Sequence, residues 1–276
     1  MTLASCDSRK TAGENPFFTE WDTPHGVPPF DKILPEHFMP AFERGMSLHE
    51  AEIDAITSNK DEATFENTIL AYDDAGQMLA QTELVFGMLC AAETNDRMQA
   101  LQEQAMPLLA AHRDKIRLDD KLFVRVKEVY DRRAALGLDA EQMRLLQKTY
   151  DSFVRAGALL DAEQKARLKE INGQLSLTAV KFGNNILAEN NNFVLELKSD
   201  ELDGLPAGIR DAAREKARQM GKGDKWVFTL HKPSLIPLLT YSTKRDLREK
   251  IYKAYLNRCN NGDEYDNKQL INDFIR

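Results

Sequence analysis

The histidines are the residues of this sequence with the clearest capacity for chemistry, and only one of them lies in a pattern with a known use. His49 and Glu50 begin the run HEAEI on a predicted helix. In zinc-binding helices of the form His-Glu-x-x-His, two histidines one turn apart bind the same ion. Ile53 occupies the position of the second histidine here. We therefore expect no zinc site at this helix and interpret His49 as a half-buried helix residue.

The other side chains that could do chemistry form no site either. No G-x-S-x-G motif is present, and Cys6, Cys90 and Cys259 show no C-x-x-C spacing. The acid pairs Asp73-Asp74 and Asp119-Asp120 fall on helix surfaces and helix starts, where such pairs are usually solvated or capping groups. The sequence predicts no catalytic, cofactor-binding or metal-ligating residue. The remaining histidines are scattered along the chain: His25, His37, His112 and His231.

One modification site is suggested near the N-terminus. Leu3-Ala4-Ser5-Cys6 fits the bacterial lipobox, in which a cysteine after small residues becomes lipidated. The charged and apolar segments of a signal peptide do not precede it, so a chance match is the alternative. We expect residues 1–14 to be a disordered tail or the remnant of a lipoprotein signal. A lipidated Cys6 would make the protein periplasmic or membrane-anchored; otherwise we expect it in the cytoplasm.

Composition argues against nucleic-acid binding and against a membrane-spanning segment. The formal net charge is −7, from 37 basic and 44 acidic residues that are interspersed, so there is no basic patch for nucleic acid. No apolar run approaches the ~18 residues of a transmembrane helix. With 276 residues, the chain can bury one large core or two smaller ones.

Helical periodicity governs most of the chain. After a Pro- and aromatic-rich arm (15–30), apolar residues recur at threes and fours, with caps at the starts and Gly137 at one end. We expect Pro107 to bend the helix that contains it. The first predicted helices are 35–59, 64–93, 94–116 and 119–136.

Two further helices begin with capping boxes, Asp139-x-x-Gln142 and Asp161-x-x-Gln164. The second of them is predicted to run to Glu189, where three asparagines interrupt the pattern. Residues 193–197 and 225–230 then have strand composition and are predicted to pair as an antiparallel hairpin. The fold class is therefore mainly α, a multi-helix bundle-like lobe with one small β element. Later helices are expected at 206–220, 233–241 and 243–258, with Asp266 opening the last.

Four blocks in order resemble the N-terminal half of thimet-oligopeptidase-like zinc metallopeptidases, above all the peptidyl-dipeptidase branch of that family. The blocks are TPHGVPPFDKILPEHFMPAFERGM, ATFENTILAYDDAG, DSFVRAGALL with KARLKEINGQLS, and WVFTLHKPSLIPLLTYSTKRDLREKIYKAYLNR. The resemblance covers nearly everything from Asn15 to Arg276, and residues 15–276 are accordingly expected to be one N-terminal helical region of such an enzyme.

The resemblance implies a helical enzyme of two lobes around a channel, which releases dipeptides from the C-termini of short peptides. Zinc would be bound by a His-Glu-x-x-His motif whose Glu is the general base. That motif belongs to the C-terminal catalytic lobe, so no ligand or base is carried over to this chain, which is expected to bind no zinc and to be inactive alone. Loss of the partner lobe is expected to expose apolar surface. Two alternatives remain: an oligopeptidase of the same family that cuts internally, and a stand-alone helical binding or scaffold protein.

Overall fold

Helices dominate the chain, as the periodicity predicts, in a computed structural model that describes residues 15–92 and 94–276. Two compact units divide it: the first ends at Leu177 and the second is Thr178–Arg276. The mainly α fold class with one two-stranded antiparallel sheet is confirmed. The assignment of 15–276 to a single region of a longer enzyme is not tested by this division and stays a prediction.

The first unit is built from helices joined by short turns. Its proline-rich arm forms 3-10 turns at Pro16–Phe18 and Pro24–Gly26 rather than an α-helix, because proline removes a backbone donor. The helix predicted from Pro35 starts later: Pro35–His37 form a 3-10 turn, and the α-helix begins at Phe38. The helices are α1 (Phe38–Ser58), α2 (Ala71–Asp74), α3 (Gln77–Ala92), α4 (Asp96–Arg117), α5 (Asp120–Asp131) and α6 (Ala140–Arg155), and α7 (Ala162–Asn192) begins in this unit.

Two clusters of buried side chains form the core of this unit. In one, the rings of Phe38 and Phe42 on α1 lie 4.9 and 5.3 Å from the ring of Phe86 on α3. Phe17 of the arm joins it, 5.3 Å from Phe38, so a ring does pin the arm to the helices. The second cluster gathers around Leu146 and Phe153. Both follow the apolar stripes that the periodicity predicts.

The single helix predicted from Thr64 to Glu93 is interrupted. Thr64 does cap its start, accepting from the Asn67 amide, but a π-helical turn (Phe65–Leu70) and α2 follow. The chain then turns at Gly76, whose φ is +76°, before α3 begins. An L-residue rarely adopts this conformation, and glycine adopts it without strain. Glu93, the predicted end of that helix, lies outside the described residues.

Helix α7 starts as predicted and ends later than predicted. Asp161 and Gln164 exchange side-chain hydrogen bonds with each other's backbone amides, at 2.8 and 3.1 Å, which completes the capping box. The Asp139–Gln142 box before α6 forms in the same way. The asparagine run does not end α7, which continues to Asn192. The reason is tertiary: the Asn190 side chain accepts a hydrogen bond from Arg258 at 3.0 Å, instead of competing with the helix backbone.

The second unit packs helices around a small sheet. Strand β1 (Leu195–Leu197) pairs antiparallel with β2 (Trp226–Phe228), in the register Leu195 to Phe228; both strands are shorter than predicted. The buried face of the sheet joins Leu235, Leu238 and Ile251 in one core. The helices are α8 (Ala207–Gln219), α9 (Lys232–Tyr241), α10 (Arg245–Leu256) and α11 (Lys268–Ile275).

Remaining differences lie at helix ends. The helix expected to reach Leu136 ends at Asp131, and a 3-10 turn (Arg133–Ala135) leads to Gly137 with φ +64°. Pro107 lies inside α4, and the bend expected there stays a prediction. Among the described helices, none combines the length and the apolar character needed to cross a bilayer.

Gly76 provides a test of the interrupted helix. A Cβ at this position would lie 2.9 Å from Nδ1 of His49, and the backbone would be strained besides. We expect Gly76→Ala to lower the free energy of unfolding by about 1–2 kcal/mol. Gly87→Ala is the matched control: a Cβ there meets nothing within 4 Å in α3, and we expect a gain of up to about 1 kcal/mol. Urea unfolding measures both, and equal effects of the two variants would contradict this account.

Candidate functional site

In the structure, His49 contacts a second histidine, which lies on another helix. His49 Nδ1 on α1 lies 3.0 Å from Nε2 of His112 on α4, and the ring centroids are 5.0 Å apart. His112 is only 5% exposed. Ile53, at the position of the missing zinc ligand, is buried in the core. No pattern in the sequence indicates this pair, because His112 follows no motif and lies on a different helix.

Glu50 selects the tautomers of the pair. One of its carboxylate oxygens lies 3.5 Å from Nδ1 of His112 and the other 2.8 Å from Nζ of Lys115. A neutral imidazole has one donor and one acceptor nitrogen. A proton on Nδ1 of His112 faces the carboxylate favourably and leaves Nε2 to accept from His49. The Glu50 carboxylate, itself paired with Lys115, thus favours this tautomer of His112.

The Gly76 turn closes the other side of His49. The Gly76 amide donates to Oε2 of Glu52 at 2.7 Å, and the absence of a side chain on Gly76 leaves room for the His49 ring. An open groove of about 510 Å³ runs beside the pair and is also lined by Glu83 and Arg113. Burial raises the pKa of Glu83, and Arg113, 3.6 Å away, opposes that shift.

Both histidines are held toward the neutral form. Burial lowers the pKa of His49 and the charge of His112 lowers it further, against smaller opposing effects of Glu52 and Glu50. Burial also lowers the pKa of His112, although Glu50 raises it. Two neutral rings can share one hydrogen bond, whereas two protonated rings at this distance repel each other. The pair therefore ties α1 to α4 near neutral pH.

The arrangement supplies no nucleophile and no ligand cluster. Within residues 15–92 and 94–276, no group of three or more His, Cys, Asp or Glu side chains converges to hold a metal ion. Burial raises the pKa of the Cys90 thiol. Burial, together with Glu189, raises the pKa of Cys259 to about 11, so this thiol is not reactive at neutral pH. Cys6, the predicted lipidation site, lies outside the described residues.

The acid pairs have structural surroundings. Asp119 accepts from the Leu122 amide at 2.8 Å and so caps α5, as expected. Asp120 forms an ion pair with Lys165 at the start of α7. Asp73 and Asp74 are exposed at the end of α2.

A second surface feature lies in the second unit. Phe182 and Ile271 border two adjoining grooves, of about 370 and 290 Å³, between the end of α7 and α11. The smaller groove is lined almost wholly by apolar side chains, including Leu270 and Phe274. It has no groups for chemistry and is suited to binding an apolar surface.

Comparison with known proteins connects these units to peptidases. No protein-family model matches the chain. Dipeptidyl carboxypeptidase of Escherichia coli is 36% identical over 258 residues, which are 93% of this chain and 38% of that protein. The enzyme of the same name from Salmonella typhimurium is 34% identical over the same shares, and oligopeptidase A of Escherichia coli is 25% identical over 92% of this chain and 38% of its own length.

These matches confirm the resemblance drawn from the sequence. The chain is homologous, over nearly its whole length, to dipeptidyl carboxypeptidase and to oligopeptidase A. It shares more identity with the two dipeptidyl carboxypeptidases than with oligopeptidase A. The chain spans about 38% of the length of these relatives.

The histidine pair predicts an acid-sensitive fold. The folded-state pKa of each ring lies below the ordinary value of 6.5, so the unfolded chain takes up protons first. The contribution of the pair to the free energy of unfolding is fully present above pH 6.5. It is lost as the pH falls from there through the folded-state pKa. We expect the free energy of unfolding to fall between pH 7.5 and 5.0, and to fall less in the His49→Gln/His112→Gln variant.

Urea titrations at pH 7.5, 6.5 and 5.0 measure this effect. The quantity compared is the slope of the free energy of unfolding against pH within each protein. A loss of stability that is the same at every pH, such as the cost of replacing a buried ring, does not affect this slope. A double variant with the wild-type slope would show that the pair is not the source.

Proposed function

We propose that this chain is the N-terminal, non-catalytic region of a zinc metallopeptidase that releases dipeptides from the C-termini of short peptides. The observation that carries the proposal is the 36% identity to a dipeptidyl carboxypeptidase across 93% of this chain. A match of this extent covers both compact units, not one shared motif.

Dipeptide release is preferred to internal cleavage because the sequence identity is higher to one group of relatives than to the other. Two dipeptidyl carboxypeptidases match at 36% and 34%, and oligopeptidases A match at 24–26%. An internally cutting oligopeptidase is the second candidate, since those relatives align over a similar share of the chain. A stand-alone scaffold protein is less well supported, because that function does not explain why the sequence matches enzymes over nearly its whole length.

The residues present do not fit a catalytic zinc ion. His49 is hydrogen-bonded to His112, and Ile53 replaces the second ligand of the zinc helix and is buried in the core. We therefore propose that the zinc ligands and the general base belong to the remainder of the longer polypeptide. This chain would contribute structural support and part of the wall of the peptide channel.

The proposal is tested on the product of the whole gene. Reading the gene beyond Arg276 should reveal a His-Glu-x-x-His motif. The full-length protein should release dipeptides from peptides with a free C-terminus, should fail on the same peptides with an amidated C-terminus, and should lose activity with a zinc chelator. The 276-residue chain should release nothing.

Three results count against this reading. Internal cleavage of amidated peptides would favour the oligopeptidase reading. A stop codon directly after Arg276 would favour the scaffold protein. One tightly bound zinc ion per 276-residue chain would refute the non-catalytic assignment.

We also propose that Cys6 carries a lipid and anchors the protein at the periplasmic face of a membrane; a cytoplasmic protein is the alternative. The support is the Leu3–Cys6 lipobox alone. Cells expressing the full precursor with labelled palmitate should incorporate label into the wild type and not into Cys6→Ser. Cys90→Ser is the matched control and should keep the label. An unlabelled wild type beside a labelled control lipoprotein would remove the proposal.

A further inference from the structure

Helix α11 presents an apolar face that the described residues leave largely exposed. The helix buries none of its side chains. Ile271, Phe274 and Ile275 are 45%, 57% and 76% exposed. With Leu270 they fall at positions i, i+1, i+4 and i+5, on one stripe of the helix. An isolated helix of eight residues is marginal in water, so packing must support it.

Polar contacts at its start hold α11 in place. Asn267, just before the helix, is 2% exposed, and its Oδ1 accepts from Asn185 at 2.7 Å. Its own side-chain nitrogen donates to the Phe182 carbonyl at 3.2 Å, and its backbone amide donates to the Cys259 carbonyl at 2.8 Å. Each buried polar group of Asn267 thus has a partner. These bonds fix the direction of α11 and leave its apolar stripe free.

Helix α7 forms the other wall of the apolar groove beside α11. Phe182 is 37% exposed and borders the groove opposite Ile271 and Phe274. Side chains of both helices thus form the walls of an apolar channel of the type that receives an amphipathic helix. Exposed contiguous apolar surface of this kind marks a binding site.

We propose that this surface, which comprises Phe182, Leu270, Ile271, Phe274 and Ile275, is the docking site for an apolar helix face from the region of the longer polypeptide that the relatives have and this chain lacks. The proposal rests on the proposed function and adds the place of contact. Two observations select this occupant. The chain spans only 38% of the length of its relatives, and the polar contacts of Asn267 hold the stripe in a fixed orientation before anything binds.

Cysteine labelling tests the contact without reference to activity. Phe274→Cys is placed in the 276-residue chain and in the full-length product of the gene, and modification at position 274 is followed by peptide mapping. We expect labelling at least about tenfold slower in the full-length protein, because docking removes the site from water. Asp224→Cys is the control: the Asp224 side chain is 99% exposed in a polar turn, and its labelling should be equally fast in both proteins.

The outcomes separate the docking site from the proposed function. Equal labelling of position 274 in both proteins overturns the docking site, even when the full-length protein cleaves peptides. Protection that rises with concentration of the 276-residue chain identifies a second copy as the occupant, which also overturns it. A protected Phe274→Cys in a full-length protein without peptidase activity supports the docking site and refutes the function. A gene that ends at Arg276 refutes both before any labelling.

A second variant covers the case in which cysteine perturbs the surface. Phe274→Asp should lower the unfolding midpoint of the full-length protein by at least about 3 °C and change the 276-residue chain little. Asn272→Asp introduces the same charge on the opposite, polar face of α11 and should change neither protein. Equal shifts for the two variants in the full-length protein would contradict the proposal.

Discussion

The close approach of α1 to α3 at Gly45 is the contact on which the first unit depends. A Cβ at Gly45 would lie 3.0 Å from the Leu79 backbone, so the helices meet this closely only because glycine has no side chain. One turn earlier, the Phe42 ring packs edge-on against Phe86. One turn later, His49 reaches both the Gly76 turn and His112. The apolar core and the histidine pair are successive layers of the same stripe on α1.

That arrangement explains why a segment resembling a zinc helix is structural here. A zinc ligand needs a ring nitrogen free to point at the ion, and its partner must lie on the same helix face. In this chain the ring of His49 is bonded across to another helix, and the following turn contributes Ile53 to the core. The pair is a polar crosslink between helices beside the Glu50 carboxylate, and its hydrogen bond requires at least one of the two rings to be neutral.

In the second unit, apolar packing and polar contacts hold different elements. Its sheet and α9 to α10 are held by apolar packing, but α11 is held through the buried amide of Asn267. Buried amides need specific partners and therefore fix orientation more than they add stability. An orientation fixed in this way, with the apolar stripe outward, is suited to a surface that another part of a larger protein completes.

The sequence by itself determined the helical fold class, the capping boxes at Asp139 and Asp161, the pairing of the two strands, and the relationship to peptidases. The caps depend on residues close together in the chain, a cap and the amide three residues later. The fold class, the strands and the relationship depend on the residue types of whole segments. Only the tertiary structure decided that the predicted 64–93 helix breaks at Gly76, that α7 continues through Asn190, and that His49 meets His112. Each of these depends on a side chain of another segment that packing brings close: Glu52 and His49 at Gly76, Arg258 at Asn190, and His112 at His49. Local preference carries no information about such a contact.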